Sequence, residues 1–185
     1  MHKIEIEFRT RFDEKEYKRL KSFLGEHARD LGEDDKNSHF FVFNNKVLKV
    51  VDEVSKNLAK IVLKLNRIGQ RDYFPEIEIP ITRSDVKKAV QIFNELNAEI
   101  VVESFQRRHN YLYKGVEIAL KYSDNWGYHA EFEIVVDGTD SEVSRVAAKK
   151  QIRKVAAELG AKLMTNEEIK KFITPIEKRY KKQAP

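Results

Sequence analysis

Cysteine is absent from this sequence, so it can build no disulfide, no thiolate zinc site and no cysteine nucleophile. Neither a Walker-type loop nor a Gly-x-Gly-x-x-Gly run occurs, which argues against the familiar nucleotide-binding folds. No segment approaches the roughly 20 apolar residues of a membrane-spanning helix, and the opening MHKIEIEF has no secretory apolar run. A cytoplasmic protein with no membrane partner is expected. The five histidines (His2, His27, His39, His109 and His129) show no metal-ligand spacing. No low-complexity stretch or boundary interrupts the chain, so residues 1–185 are expected to form one domain, with a basic tail over about the last ten.

What the sequence has in quantity is charge. Charged residues make up 35% of the 185, with 35 Lys and Arg against 30 Asp and Glu, for a net charge of +5. Hydrophobic residues reach 41%, enough for a substantial core. A modest basic surplus suits a polyanionic small molecule as well as nucleic acid. The tail EKRYKKQAP reads as a solvated end rather than a nucleic-acid arm.

Three stretches place two glutamates two residues apart with large apolar residues between and after them. They are Glu5–Phe8, Glu76–Ile79 and Glu131–Ile134. In a strand this spacing sends both carboxylates to one face and the apolar pair to the other. The remaining pattern supplies five further strands, HFFVFN, KVLKVVDE, AKIVLKLNR, and segments near 101–113 and 115–123. Asn44-Asn45, Lys114-Gly115 and Asp124-Asn125 mark turns. The polar stretch ARDLGEDDKNS reads as a connection. Apolar positions at helical spacing predict helices over 13–27, 84–97 and 140–159, with Thr139 and Glu142 at capping-box spacing. Thr165 and Glu168 open a last short helix, expected to stop before Pro175. Each Glu-x-Glu strand precedes a helix, so the apolar residues between its glutamates should lie under that helix.

The strands share a further habit. Val47, Lys49 and Val51 fall on one face, Val62 and Lys64 on one face, and Glu117, Ala119 and Lys121 on one face, each backed by a solid apolar face. A freely solvated sheet face would be more uniformly polar, so this pattern suggests a partly enclosed surface. Eight such strands could close into a barrel with the charged faces lining its lumen. Pairs of carboxylates about 7 Å apart along a strand and about 4.8 Å from the next strand cannot all stay ionised without cations. Hard divalent ions suit all-oxygen sites, and lysines or arginines on the same surface would hold the rest of a polyphosphate.

In order and spacing, these elements resemble the CYTH superfamily, the triphosphate tunnel metalloenzymes, which include class IV adenylyl cyclases and thiamine triphosphatases. Glu5, Glu7 and Arg9 resemble its N-terminal Glu-x-Glu-x-Lys strand, and Leu48–Val51 its Leu-Arg-x-Arg strand. Val62–Lys64, Glu76–Glu78, Arg108–Tyr111 and the run Trp126, Gly127, His129, Glu131, Glu133 match later motifs. The resemblance implies an α+β fold, an eight-stranded antiparallel β-barrel with helices outside. It implies that Glu5, Glu7, Glu131 and Glu133 hold Mg²⁺ or Mn²⁺, that Arg9, Lys49, Lys64 and Arg108 contact phosphate, and that Glu76 and Glu78 support them. One metal would bind the triphosphate and a second would activate the attacking oxygen.

Three departures stand out. Arg9 replaces the usual lysine, Val51 replaces a second arginine, and Lys121, expected to contact phosphate, takes the place of a carboxylate expected at the second metal. No catalytic residue is assigned, and Lys170, Lys171 and Lys178 compete as the C-terminal basic contact. The implied activity is metal-dependent hydrolysis of tripolyphosphate, ATP or thiamine triphosphate. The alternatives are cyclisation of ATP to cyclic AMP and a non-catalytic polyphosphate- or RNA-binding module. A homodimer stays open.

Overall fold

In the computed structural model, which describes residues 3–70, 73–137 and 142–181, the alternating segments pair into one antiparallel sheet that closes on itself. The strands are β1 (Lys3–Arg11), β2 (Arg29–Glu33), β3 (Lys36–Val42), β4 (Val47–Glu53), β5 (Leu58–Lys64), β6 (Tyr73–Ile81), β7 (Ile100–Tyr113), β8 (Val116–Ser123) and β9 (Gly127–Asp137). The order β7-β3-β4-β5-β6-β1-β9-β8 returns to β7, giving a closed barrel of eight strands. The long β7 closes it. Its first half pairs with β3 and its second half with β8.

β2 was not expected, because ARDLGEDDKNS carries no apolar alternation. It pairs with His109–Leu112 of β7, along the edge that β3 follows further back, with a register shift between Asp30 and Gly32. Gly32 takes a positive φ of 89° there, which glycine adopts without a steric cost. Backbone pairing rather than burial forms this strand. The β2–β3 junction stays on β7 through Asp34 N–H to Arg108 O (2.8 Å) and Arg108 N–H to Asp35 Oδ1 (2.8 Å).

Four helices lie outside: α1 (Glu14–His27), α2 (Val86–Asn94), α3 (Glu142–Glu158) and α4 (Asn166–Tyr180). Asp13 caps α1 by accepting from Glu16 N–H at 2.8 Å, worth about 1 kcal/mol. Leu20 and Leu24 of α1 and Ala148, Ile152 and Val155 of α3 bury the outer faces of β1, β8 and β9, including Ile6, Ile118 and Phe132. Thr139 lies outside the described residues, so the start expected for α3 does too.

Two expectations give way to tertiary packing. α2 does not cover the strand before it. Arg83 reaches Asp52 with two hydrogen bonds of 2.6 and 2.8 Å, and α2 packs over Phe41 and Val50 of β3 and β4. Ile77 and Ile79, between and after the β6 glutamates, are left 38% and 55% exposed. α4 begins at the Thr165–Glu168 capping box as expected, but runs on through Pro175. The proline removes one N–H, and beyond it Ile176 and Glu177 line a cleft against the barrel, with Arg67 bonding Glu177 at 2.7 Å. Those contacts carry the helix past its break.

Candidate functional site

Alternation fixes which side chains enter the barrel. On β1, Ile4, Ile6 and Phe8 join the outer core, so Glu5, Glu7 and Arg9 point inward. Glu76 and Glu78 of β6 and Glu131 and Glu133 of β9 also line the cavity. Leu120 sits in the outer core, and Lys121 faces in. The lumen is a cavity of about 320 Å³, and every site residue expected from the sequence lines it: Lys49, Lys64 and Arg108 as well as the glutamates.

The strand register then decides who meets whom. β1 and β9 place Glu7 opposite Glu133 and Arg9 opposite Glu131. β5 and β6 place Lys64 opposite Glu76. β7 and β8 place Arg108 opposite Lys121. Carboxylate oxygens of Glu5, Glu7 and Glu133 lie within 4.8 Å of one another. Glu131 belongs to a different group. It accepts from Arg9 Nε at 3.2 Å, pairs closely with Lys121, and has Arg108 Nη1 at 3.9 Å.

Nine carboxylates and eight lysines or arginines line the lumen. Eight of the nine acids have a cationic partner within 4.0 Å; Glu133, among the described residues, has none. Lys64 holds Glu76 at 2.5 Å, Glu5 at 2.8 Å and Glu7 at 3.5 Å. Arg9 pairs with Glu7 on its other side. Among the described residues, the lumen cation without an ion pair is Lys49, which faces in beside Val47 and Val51.

The proton affinities follow from this layout. Burial pushes Glu133 up, and the facing Glu5 and Glu7 push further, to about 8. Burial would raise Glu5 as well, but Lys64 and Lys49 outweigh it and hold Glu5 at about 2. Glu131 lies well below the ordinary carboxylate range, because Lys121, Arg9 and Arg108 overcome its burial. Lys121, buried and beside Arg108, comes down to about 8 despite Glu131, so the pair is ionised at neutral pH. Burial and the neighbouring Lys64 lower Lys49 to about 8. His129 falls to about 4 through burial and Lys121, so it is neutral. Its Nδ1 bonds Gly127 O at 2.9 Å.

Asp34, Lys36, Glu53 and Lys60 were not singled out in the sequence, yet they form a second ring of charge. Asp34 lies between Lys36 (2.9 Å) and Lys56 (3.1 Å), while Lys60 bridges Glu53 (3.7 Å) and Glu78 (2.6 Å). Glu53 and Lys60 keep the phase of Lys49 and Lys64 and were readable; Asp34 follows β2, whose strand was not. At one end the lumen turns apolar, where Val42, Val47 and Ile100 cluster with Phe40 and Val102. Ile173 and Ile176 of α4 face that end, and Trp126 packs against Phe172 at 4.9 Å. Lys170, Lys171 and Lys178 are exposed and do not line the cavity.

Three carboxylates converging on one point suit a hard divalent cation, which takes oxygen ligands. Glu133, whose proton affinity is raised by burial and by the facing Glu5 and Glu7, is the group such an ion would relieve. The donor set therefore fits Mg²⁺ or Mn²⁺ without distinguishing them.

The CYTH domain model matches residues 3–168. A comparison with curated proteins finds no match. Among solved structures, the PH1012 protein of Pyrococcus horikoshii OT3 is 24% identical, with a TM-score of 0.68 over 89% of this chain and 99% of that one. A candidate adenylate cyclase from Vibrio parahaemolyticus is 16% identical, with a TM-score of 0.64 over 89% and 91%. The candidate adenylyl cyclase HpAC1 from Hippeastrum, described as having a dominant triphosphatase activity, is 16% identical, with a TM-score of 0.59 over 88% and 90%. At these identities the likeness is one of fold. Among the described residues no helix is long and apolar enough to cross a membrane.

Proposed function

The chain belongs to the CYTH domain family, and from that premise we propose that it binds a triphosphate in the barrel and hydrolyses it with a divalent metal. The observation that carries this reading is the pairing inside the lumen. Among the described residues, one half-buried carboxylate, Glu133, lacks a cation within 4.0 Å, and one lysine, Lys49, lacks an anion, in a cavity whose other charges are matched. A triphosphate with its metal brings both missing partners.

In this reading Glu5, Glu7 and Glu133 hold the metal, which would neutralise charge on the phosphate chain and polarise it for attack. Lys49 contacts phosphate directly. Arg9, Lys64 and Arg108 are held by carboxylates before any ligand arrives, so their N–H donors are preorganised for charge that develops on the phosphoryl oxygens. Glu76 supports Lys64, and Glu78 supports Lys60. The apolar end beside α4 favours a substrate with an organic substituent, which keeps cyclisation of ATP as a second reading.

A panel of tripolyphosphate, ATP and thiamine triphosphate with Mg²⁺ or Mn²⁺ tests the assignment, scoring phosphate, diphosphate and cyclic AMP separately. Metal-dependent phosphate release is expected. Cyclic AMP with diphosphate would move the assignment to a cyclase, and tight binding without turnover to a binding module.

A further inference from the structure

Glu131 and Glu133 leave the same face of β9, yet only one of them is open to a metal. A divalent ion on Glu131 would have to displace cations already in place. One oxygen accepts from Arg9 Nε at 3.2 Å, and the other pairs closely with Lys121, with Arg108 at 3.9 Å. Lys121 cannot leave the lumen, because β8 is locked in phase by Ile118 and Leu120, both fully buried in the outer core. Its side chain is itself 5% exposed. Within the trio Glu5 and Glu7 share Lys64, and Glu7 also meets Arg9. Among the described residues Glu133 alone therefore offers a carboxylate with no cation to displace, and the lumen acids outside the trio are all paired. Asp34 is held by Lys36, Glu53 by Lys36 and Lys60, Glu76 by Lys64, Glu78 by Lys60 and Glu117 by Arg108. Among the described residues, Glu5, Glu7 and Glu133 form the one group of three with converging ligand atoms.

We infer that the tunnel takes a single divalent cation, and that the Lys121 ammonium stands where a second one would meet Glu131. The inference rests on the triphosphate reading and deepens it. Lys121 is a built-in countercharge that positions Glu131, Arg9 and Arg108 around the phosphate chain. Two-cation sites place their ions about 3.5–4 Å apart, and an ion that close to the Glu131 end would face the ammonium at short range. The positive charge that a second metal contributes elsewhere is therefore carried here by the chain, independently of metal concentration.

Counting bound Mn²⁺ by equilibrium dialysis and electron paramagnetic resonance tests this without turnover, using the whole chain with and without inorganic tripolyphosphate. The native protein should hold one Mn²⁺ per chain in the metal-only experiment. Its spectrum should be that of an isolated ion under both conditions. Lys121→Asp should raise the metal-only count to two and give a spin-coupled pair. Two ions in the native protein would overturn the single-cation inference and leave the triphosphate reading standing. No bound ion in either condition would overturn both. A Lys121→Asp protein that retains the native circular dichroism spectrum and still binds one ion would also overturn the role given to Lys121. If that variant does not fold, the native count alone decides.

Discussion

Two glutamates two residues apart on β9 show how the lumen is divided. Glu133 and Glu131 share a strand, a face and a half-buried setting, yet Glu133 holds its proton to about pH 8 while Glu131 lies well below the ordinary range. Burial acts on both in the same direction. The difference comes from what the register puts opposite: Glu7 across from Glu133, and Arg9 across from Glu131 with Lys121 beside it. One wall of the tunnel is short of positive charge and the other is complete. A ligand that brings a divalent cation to the first wall and phosphates to the rest suits both.

The sharpest way to break this comparison is to remove each carboxylate in turn. Glu131→Gln takes one partner from Arg9 and Arg108 and leaves Lys121 buried without its anion, and should destabilise the protein by about 3–5 kcal/mol. Glu133→Gln removes a carboxylate that has no cation among the described residues, and should leave the metal-free protein as stable as wild type or more so. Urea denaturation checks both. Equal losses would contradict the division.

The pH dependence adds a second distinction. Glu133 titrates at about 8 in the folded protein against an ordinary 4.5. Between these values the folded chain binds more protons than the unfolded one, so this group's contribution makes stability fall as pH rises. The slope for the group acting alone is at most about 1.4 kcal/mol per pH unit. Glu133→Gln should therefore gain on wild type from pH 5 to pH 8, and added Mn²⁺ should close the gap. Parallel profiles would place the unpaired carboxylate elsewhere.

Lys49 offers a smaller effect. Lys49→Met removes a half-buried ammonium that has no ion pair among the described residues. Tripolyphosphate binding should weaken about 10-fold or more, for a loss of about 1.5–3 kcal/mol typical of a charged hydrogen bond. The fold should not suffer. Calorimetric titration and a melting curve on the same preparation separate the two outcomes, and unchanged affinity would remove Lys49 from the phosphate site.

The inward set was legible because a period of two is unambiguous wherever one face is solidly apolar. Glu5, Glu7, Lys64, Lys121 and Glu131 follow from it directly. The barrel's eight strands followed from the same signal, and the family resemblance gave their closure. β2 escaped because its residues are exposed and its order comes from pairing to β7, which leaves no mark in hydropathy. α4 was cut short at Pro175 because the local rule against proline ignores Ile176 and Glu177, which the barrel holds in place. Alternation also could not say that Glu131 and Glu133 have different partners. That depends on the register between β1 and β9 and on Lys121 from β8, which only the assembled barrel specifies.

Anomalous diffraction from crystals of the protein with Mn²⁺ and tripolyphosphate tests the central claim most directly. The account predicts a manganese peak bounded by Glu5, Glu7 and Glu133, with the phosphate chain running toward Lys49 and the Arg9–Lys121–Arg108 wall. A peak on Glu131, or a triphosphate bound outside the barrel, would contradict it.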